Sequence, residues 1–172
     1  MQWFISDLHL GHKNILKYRQ QFDTTEQHDN YIVDSILNVV NQKHTLWILG
    51  DVILASSSMD CLQKISNNVG CLKIVLGNHD GERSYSPSIV ELSAVARLYP
   101  YSITGKHDEY LLSHIPVDQQ MLYHGQKWNI HGHCHDKLEP TKYHINVTCE
   151  SLNYNPVSME SINSITQERS KQ

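Results

Sequence analysis

The sequence predicts an α/β fold, with a largely parallel sheet built from βαβ-type units followed by a strand-rich, antiparallel layer. Three observations predict it. Apolar runs of strand length recur along the chain, helical periodicity appears between the early runs, and the second half is strand-rich with short connections.

The first run, residues 3–6, is WFIS. A helix begins near Thr24, where Thr24 and Gln27 have capping-box spacing. Its apolar stripe of Ile32, Val33, Ile36, Leu37 and Val40 has helical periodicity, so it packs on a sheet. The second run covers 45–49, and Met59, Leu62 and Ile65 then mark one face of a second helix. The third run is 71–76, and residues 90–96 supply a third helix. A weaker strand candidate over 95–103 is interrupted by Pro100, which predicts an edge strand or a bend. Runs at 109–113, 128–131 and 143–147 complete the strands, and the polar residues 167–172 are expected to fray.

A length of 172 residues suits one domain spanning 1–172, large enough to bury a core without disulfides. Hydrophobic content of 40% and charged content of 19% describe an ordinary soluble globule. No apolar run approaches the roughly 20 residues needed to span a bilayer, and residues 1–6 lack a signal peptide's basic start, so a cytoplasmic protein is expected. The four cysteines (Cys61, Cys71, Cys134 and Cys149) show no CxxC spacing, and Cys61 and Cys71 read as small core residues. A net charge of −4 argues against a nucleic-acid groove binder.

Five short motifs carry the chemistry: Asp7-Leu8-His9, Gly50-Asp51, Gly77-Asn78-His79-Asp80, Ser113-His114 and Gly132-His133-Cys134-His135. Most sit just after an apolar run. In open α/β sheets the active site lies beyond the carboxyl ends of the strands, so Asp7, Asp51 and Asn78 are expected to converge on one crevice. Asp7 and His9 are two apart, which at a strand end turns both side chains to the same side. His133 and His135 repeat that spacing.

Together the motifs supply two carboxylates (Asp7, Asp51), four ligand-type imidazoles (His9, His114, His133, His135), the Asn78 amide and a spare histidine, His79. That inventory fits two neighbouring metal ions beside a free acid. Mixed nitrogen and oxygen donors suit Mn²⁺, Fe or Zn²⁺, and the absence of motif thiolates argues against a Cys₄ structural zinc. A carboxylate such as Asp51 can bridge two metals about 3.5–4 Å apart, and a bridging water there supplies hydroxide near neutral pH. Hydrolysis of a phosphate ester suits this arrangement better than a structural role does.

Other polar residues admit two readings. Asp80 either orients His79 or caps the following turn. His12 and Asn14, just beyond the first ligand pair, either touch substrate or form a loop and a helix N-terminus. Asn153 and Tyr154 line the pocket or belong to a turn with Pro156. Lys13 and Arg83 read as solvated charges, and Cys134 as buried packing. No motif surrounds His28, His44, His107, His124, His131 or His144.

The five motifs, in this order from Asp7 to His135, resemble the calcineurin-like metallophosphoesterase superfamily. The stretch 7–22 with Gly11-His12-Lys13-Asn14-Ile15, together with Ile145-Asn146-Val147 and Asn153-Tyr154-Asn155-Pro156-Val157-Ser158, resembles a small single-domain branch found in bacteria and bacteriophages. The resemblance implies a four-layer α-β-β-α sandwich of two mixed sheets. It implies that Asp7, His9, Asp51 and His135 hold one metal, and that Asp51 bridges to a second completed by Asn78, His114 and His133. His79 would contact the scissile phosphate as general acid or charge stabiliser. Two divalent ions are implied, manganese first, with iron, zinc or nickel as alternatives.

The protein Ser/Thr phosphatases of the superfamily follow the GD motif with VDRG. Here Val52-Ile53-Leu54-Ala55 stands in its place, which points away from protein dephosphorylation. The length leaves no room for the capping domain of its DNA-repair nucleases. The expected substrate is a small phosphate ester, a phosphodiester such as a nucleotide or cyclic nucleotide before a phosphomonoester, because no arginine clamp for a monoester is evident. A non-catalytic scaffold of the same fold is the rival reading.

Overall fold

Alternate residues of the first strands bury opposite faces, so one sheet separates two apolar cores. Strand β1 (Gln2–Ile5) sends Ile5 into a core shared with helices and Phe4 into a second core on the other side. Strand β2 (Thr45–Leu49) does the same with Leu46 and Ile48 against Trp47 and Leu49. Strand β3 (Cys71–Val75) repeats it with Leu72 and Ile74 against Val75. A sheet buried on both faces needs such near-continuous apolar runs. The structure, a computed structural model, describes residues 1–81, 86–106, 108–122, 126–137 and 141–171. Arg83, His107 and His124 therefore lie outside the described residues.

The helical core is built by α1 (Thr25–Val39), α2 (Met59–Asn68) and α3 (Ile89–Val95). Helix α1 starts where the sequence places it: the Thr24 side chain accepts from the Gln27 amide, and the Gln27 side chain accepts from the Asp23 amide. Ile32, Val33 and Ile36 of α1 meet Leu62 and Ile65 of α2 over the sheet. Helix α3 has a complete Ser88–Glu91 capping box.

Parallel pairing aligns β1, β2 and β3 so that Ile5, Ile48 and Ile74 lie side by side. Strand β4 (Arg97–Tyr99) adds to the β3 edge in parallel, and β9 (Val157–Ser158) pairs antiparallel with β1. At Pro100 the chain leaves this sheet, and β5 (Ser102–Thr104) opens the second one. The bend expected at Pro100 is thus a crossing between sheets.

The second sheet runs in the order β5, β6 (Tyr110–Ser113), β7 (Trp128–His131) and β8 (His144–Asn146). The expected antiparallel layer is corrected here: only β5–β6 is antiparallel, while β6–β7 and β7–β8 are parallel. The connections from β6 to β7 and from β7 to β8 span a dozen residues or more, the length that parallel pairing needs. Tyr110, Leu112, Trp128, Ile130 and Ile145 pack this sheet against Phe4, Trp47, Leu49 and Val75.

Helix α4 (Met159–Arg169) was not anticipated. Its Ile162 joins the core between the sheets, Asn163 and Thr166 bond the Tyr110 hydroxyl, and Arg169 donates to the His144 carbonyl. Two mixed sheets and four helices make an α/β sandwich, as the resemblance implied. Of the cysteines only Cys149 is fully buried; Cys61, Cys71 and Cys134 are partly exposed, so Cys134 is not buried packing. No helix among the described residues is long and apolar enough to cross a membrane.

Candidate metal centre

Five parallel strands end at one seam between the sheets, and the motifs occupy the loops just beyond them. Asp7 and His9 follow β1, Asp51 follows β2, Asn78 and His79 follow β3, His114 follows β6, and His133 and His135 follow β7. Backbone bonds sew the loops together: the Asp7 amide donates to Gly50, the His9 amide to Asp51, and the Ser6 amide reaches across to Val147.

The alternation argument finds the right residues through the wrong geometry. Asp7, His9, Asp51, His133 and His135 all lie beyond their strands with left-handed φ values of 57°, 52°, 52°, 66° and 50°. Tight left-handed turns, not a pleat, bring each pair together. Such a conformation costs a non-glycine residue about 1–2 kcal/mol and persists only where its surroundings over-determine it. Two glycines make the approach possible. Gly50 has φ +87° with the His114 ring against its α-carbon, and Gly132 lies against the Ser6 and Asp7 side chains; a Cβ at either would overlap them.

Seven side chains converge. His9 Nε2 lies 3.8 Å from Asp7 Oδ1 and 4.0 Å from Asp51 Oδ2. His135 Nε2 lies 3.9 Å from Asp7 Oδ1, and its ring stacks on that of His9 with centroids 5.4 Å apart. Asp51 Oδ2 is 3.5 Å from His114 Nε2, which is 3.0 Å from Asn78 Oδ1 and 3.3 Å from His133 Nδ1. Asp51 Oδ2 thus lies between His9 and His114. Two sets of donors, Asp7–His9–His135 and Asp7–Asp51–His114, each lie within 4.8 Å of one another.

These residues fit a pair of cations. Asp7 Oδ1 and both ring nitrogens of His9 are buried with no hydrogen-bond partner. Such atoms are costly unless something is bound there. The electrostatics of His9 point the same way. Burial, and then the Arg19 charge, push the His9 imidazole down to about 3, so it is neutral and its lone pair is available. Burial opposes charge on His114, but the Asp51 hydrogen bond and the Asp7 and Asp51 charges raise it to about 9. Burial also raises Asp7, against the pull of His114.

Four bracing residues escaped the sequence reading. Arg19 is almost wholly buried and donates to the Asp7 carbonyl at 2.7 Å, the Leu8 carbonyl at 3.0 Å and Glu150 Oε1 at 2.8 Å. Glu150 in turn faces His135 Nδ1 at 3.1 Å, which leaves Nε2 directed toward Asp7. Burial resists its ionisation, yet the His135 bond and Arg19 hold its carboxyl down at about 2. On its other side Arg19 donates to His28 Nε2, His28 bonds Asp29, and Asp29 accepts from the Gly11 amide and Ser58. His28 therefore belongs to the bracing of the first loop.

Asp80 acts on the loops themselves. Its carboxylate accepts from the amides of Asp51, Val52 and Gly77, clamping the second and third loops together. His79 is half-buried, its amide donates to Asp51 Oδ1 at 3.0 Å, and its ring centroid lies 6.3 Å from that of His9. His12 lies at 5.6 Å from the His9 ring, while Asn14 sits exposed in the short 3₁₀ helix Lys13–Lys17. Tyr154 packs on Phe22 and bonds Gln21, away from the seven convergent side chains.

The family model for calcineurin-like phosphoesterases matches residues 2–167, nearly the whole chain. The protein belongs to the calcineurin-like phosphoesterase family. It is 33% identical over 161 residues to the Gene 66 protein of Mycobacterium phage L5, covering 79% of this chain and 78% of that one. It is 29% identical over 171 residues to the uncharacterized protein MJ1445 of Methanocaldococcus jannaschii, covering 93% and 88%. A protein of unknown function from Aquifex aeolicus, AQ665, shares the fold with a TM-score of 0.79 and 25% identity, over 96% of this chain and 98% of that one. Small phage and archaeal proteins are thus among the relatives. Membership makes the chain a metal-dependent phosphoesterase in the general sense, a hydrolase with a phosphate-ester substrate.

Proposed function

We propose that the protein is a phosphodiesterase working as one domain in the cytoplasm, with two divalent cations held at this seam. The observation that carries the reading is the buried, unpartnered set of Asp7 Oδ1 and the His9 ring nitrogens beside Asp51. Asp7, His9, Asp51 and His135 would hold one ion; Asp51, Asn78, His114 and His133 would hold the other. Manganese suits this mixed donor set, as iron, zinc and nickel also do. When bound, the cations supply Lewis acidity and a nucleophilic water near neutral pH.

The chain's own residues do the rest. Asp51 and Asp80 fix the loops so that the donors stay in place. His79, tethered through its amide to Asp51, presents its imidazole beside the first ligand set to donate a proton to the leaving oxygen. His12, its ring 5.6 Å from that of His9, would meet a substrate oxygen, with Asn14 further out. Preference for a diester rests on charge. Among the described residues Arg19 is spent on backbone carbonyls and Glu150, Arg169 on the carbonyls of Lys142 and His144, and Arg97 opens β4 opposite Lys73, at the far end of that strand from the seam, so none is placed to clamp a monoester dianion. Nucleotides and cyclic nucleotides are the first diesters to try.

The test is Mn²⁺-dependent cleavage of bis-p-nitrophenyl phosphate against p-nitrophenyl phosphate. Faster diester cleavage that EDTA stops, in a protein whose circular dichroism is unchanged, is the expected result. Faster monoester cleavage overturns the diester reading, and turnover that survives in His79→Ala removes His79 from its role.

A further inference from the structure

The two sides of the metal seam differ in chemistry. On one side lie His9, His12, His79 and His135, a wall of imidazoles. On the other, a cleft of about 760 Å³ opens directly from Asn78 and His114, and its remaining lining is mostly apolar. That volume is in the range of sites that hold small organic ligands. No Asp, Glu, Lys or Arg lines it among the described residues.

Its apolar side chains are also exposed. Of the nine large hydrophobic side chains that stand exposed among the described residues, four (Tyr101, Ile103, Ile115 and Met121) line this one cleft. Singly exposed apolar residues need no explanation, but a cluster around one concavity next to a polar centre does. The fold accounts for its position. The chain crosses between the sheets at Pro100, so Tyr101 and Ile103 at the start of β5 face residues that follow β6 across the cleft.

We infer that this cleft is the subsite for one ester group of the substrate, and that it selects an uncharged, largely apolar group of aromatic-ring size or larger. The inference rests on the proposed hydrolase reading in one respect: the phosphoryl group must sit at the seam for the attached group to reach the cleft. A charged group, such as a further phosphate or a carboxylate, would be desolvated there with no counter-charge among the described lining residues. An apolar group would instead cover Ile103, Ile115 and Met121 and gain the transfer free energy of the area removed from water. The cleft would thus favour an aryl or nucleobase-like ester over a short alkyl or highly charged one.

Two non-hydrolysable probes test this without turnover. Phenylphosphonate and methylphosphonate share the anionic head and differ only in the group offered to the cleft. Calorimetric titration of the Mn²⁺-loaded protein should show phenylphosphonate binding at least about tenfold tighter. In Ile103→Asp and in Met121→Gln, each checked for fold by circular dichroism, that ratio should fall toward one. Equal binding in the parent protein, or a ratio unchanged in both variants, overturns the subsite. Diester cleavage is measured beside it. Cleavage with no phenyl preference sinks the subsite alone, and a phenyl preference without cleavage sinks the hydrolase reading alone. If neither phosphonate binds and no diester is cleaved, both fall.

Discussion

The two sheets contribute to the centre in different ways. The loops of the first sheet carry Asp7, His9 and Asp51, all buried and each held by backbone bonds within that half, together with the exposed Asn78, which meets the His114 ring. The loops of the second sheet carry His114, His133 and His135; His133 is exposed and the His135 side chain is 37% exposed. Two of these imidazoles take their positions from the first half, His114 from the Leu49 carbonyl and His133 from Asp7 through its amide, while His135 is held by Glu150. The contrast locates most of the preorganisation of the centre in the first sheet and makes His114 and His133 its dependants.

The largest effect should come from the residue that reaches both halves. Asp51→Asn removes the charge shared by His9 and His114. Turnover should fall by roughly 10³-fold, the scale of losing a charge-stabilising group, with the circular dichroism spectrum retained. If Asp51→Asn and His133→Ala lose equally little, the contrast between halves is wrong.

Bracing should matter next. Glu150→Ala frees the His135 ring and leaves Arg19 buried without its carboxylate. Metal affinity, read by competition with a chromogenic chelator, should weaken by roughly 10- to 100-fold. Arg19→Met should act on the same scale, since Arg19 also holds the Asp7 and Leu8 carbonyls.

A smaller loss is expected from Asp80→Asn. One carboxylate serves three buried amides, and the amide side chain has only one acceptor oxygen, so at least one N–H is stranded. Urea unfolding of the metal-free protein should show a deficit of about 2 kcal/mol.

Much of this architecture was legible in the sequence because its signals are local. An apolar run, a glycine and a ligand residue follow one another within a few positions at Leu46–Asp51 and Ile74–Asn78. The start of α1 was legible for the same reason, through Thr24 and Gln27. What was illegible depends on distance. Arg19 and Glu150 are 131 residues apart, and neither has a pattern around it that announces a partner. Strand direction in the second sheet is set by where the crossovers travel, which composition does not encode. Helix α4 did have a signal, a capping Ser158 followed by Ile162 and Ile165 at helical spacing, and the polar end of the chain obscured it.

The smallest effect concerns Cys149, on the helical side of the first sheet beside Arg19 and Glu150. Burial pushes the Cys149 thiol up to about 12. An unfolded thiol near 9 loses its proton first, so stability from this group is fully present below pH 9 and is lost as pH rises toward 12. Urea unfolding from pH 8 to pH 11 should therefore fall less steeply in Cys149→Ala. At pH 8, iodoacetamide should label partly exposed Cys61, Cys71 and Cys134 before Cys149.

The left-handed residues have a consequence for any effort to evolve or engineer this chain. Glycine adopts φ +66° without the penalty that His133 bears, and His133 is exposed, so replacing it removes little packing. A thermal selection run on metal-free protein would accordingly collect substitutions to glycine at that position. Each gain in melting temperature would come at the cost of the centre, so stability and catalysis in this fold compete for the same few backbone angles.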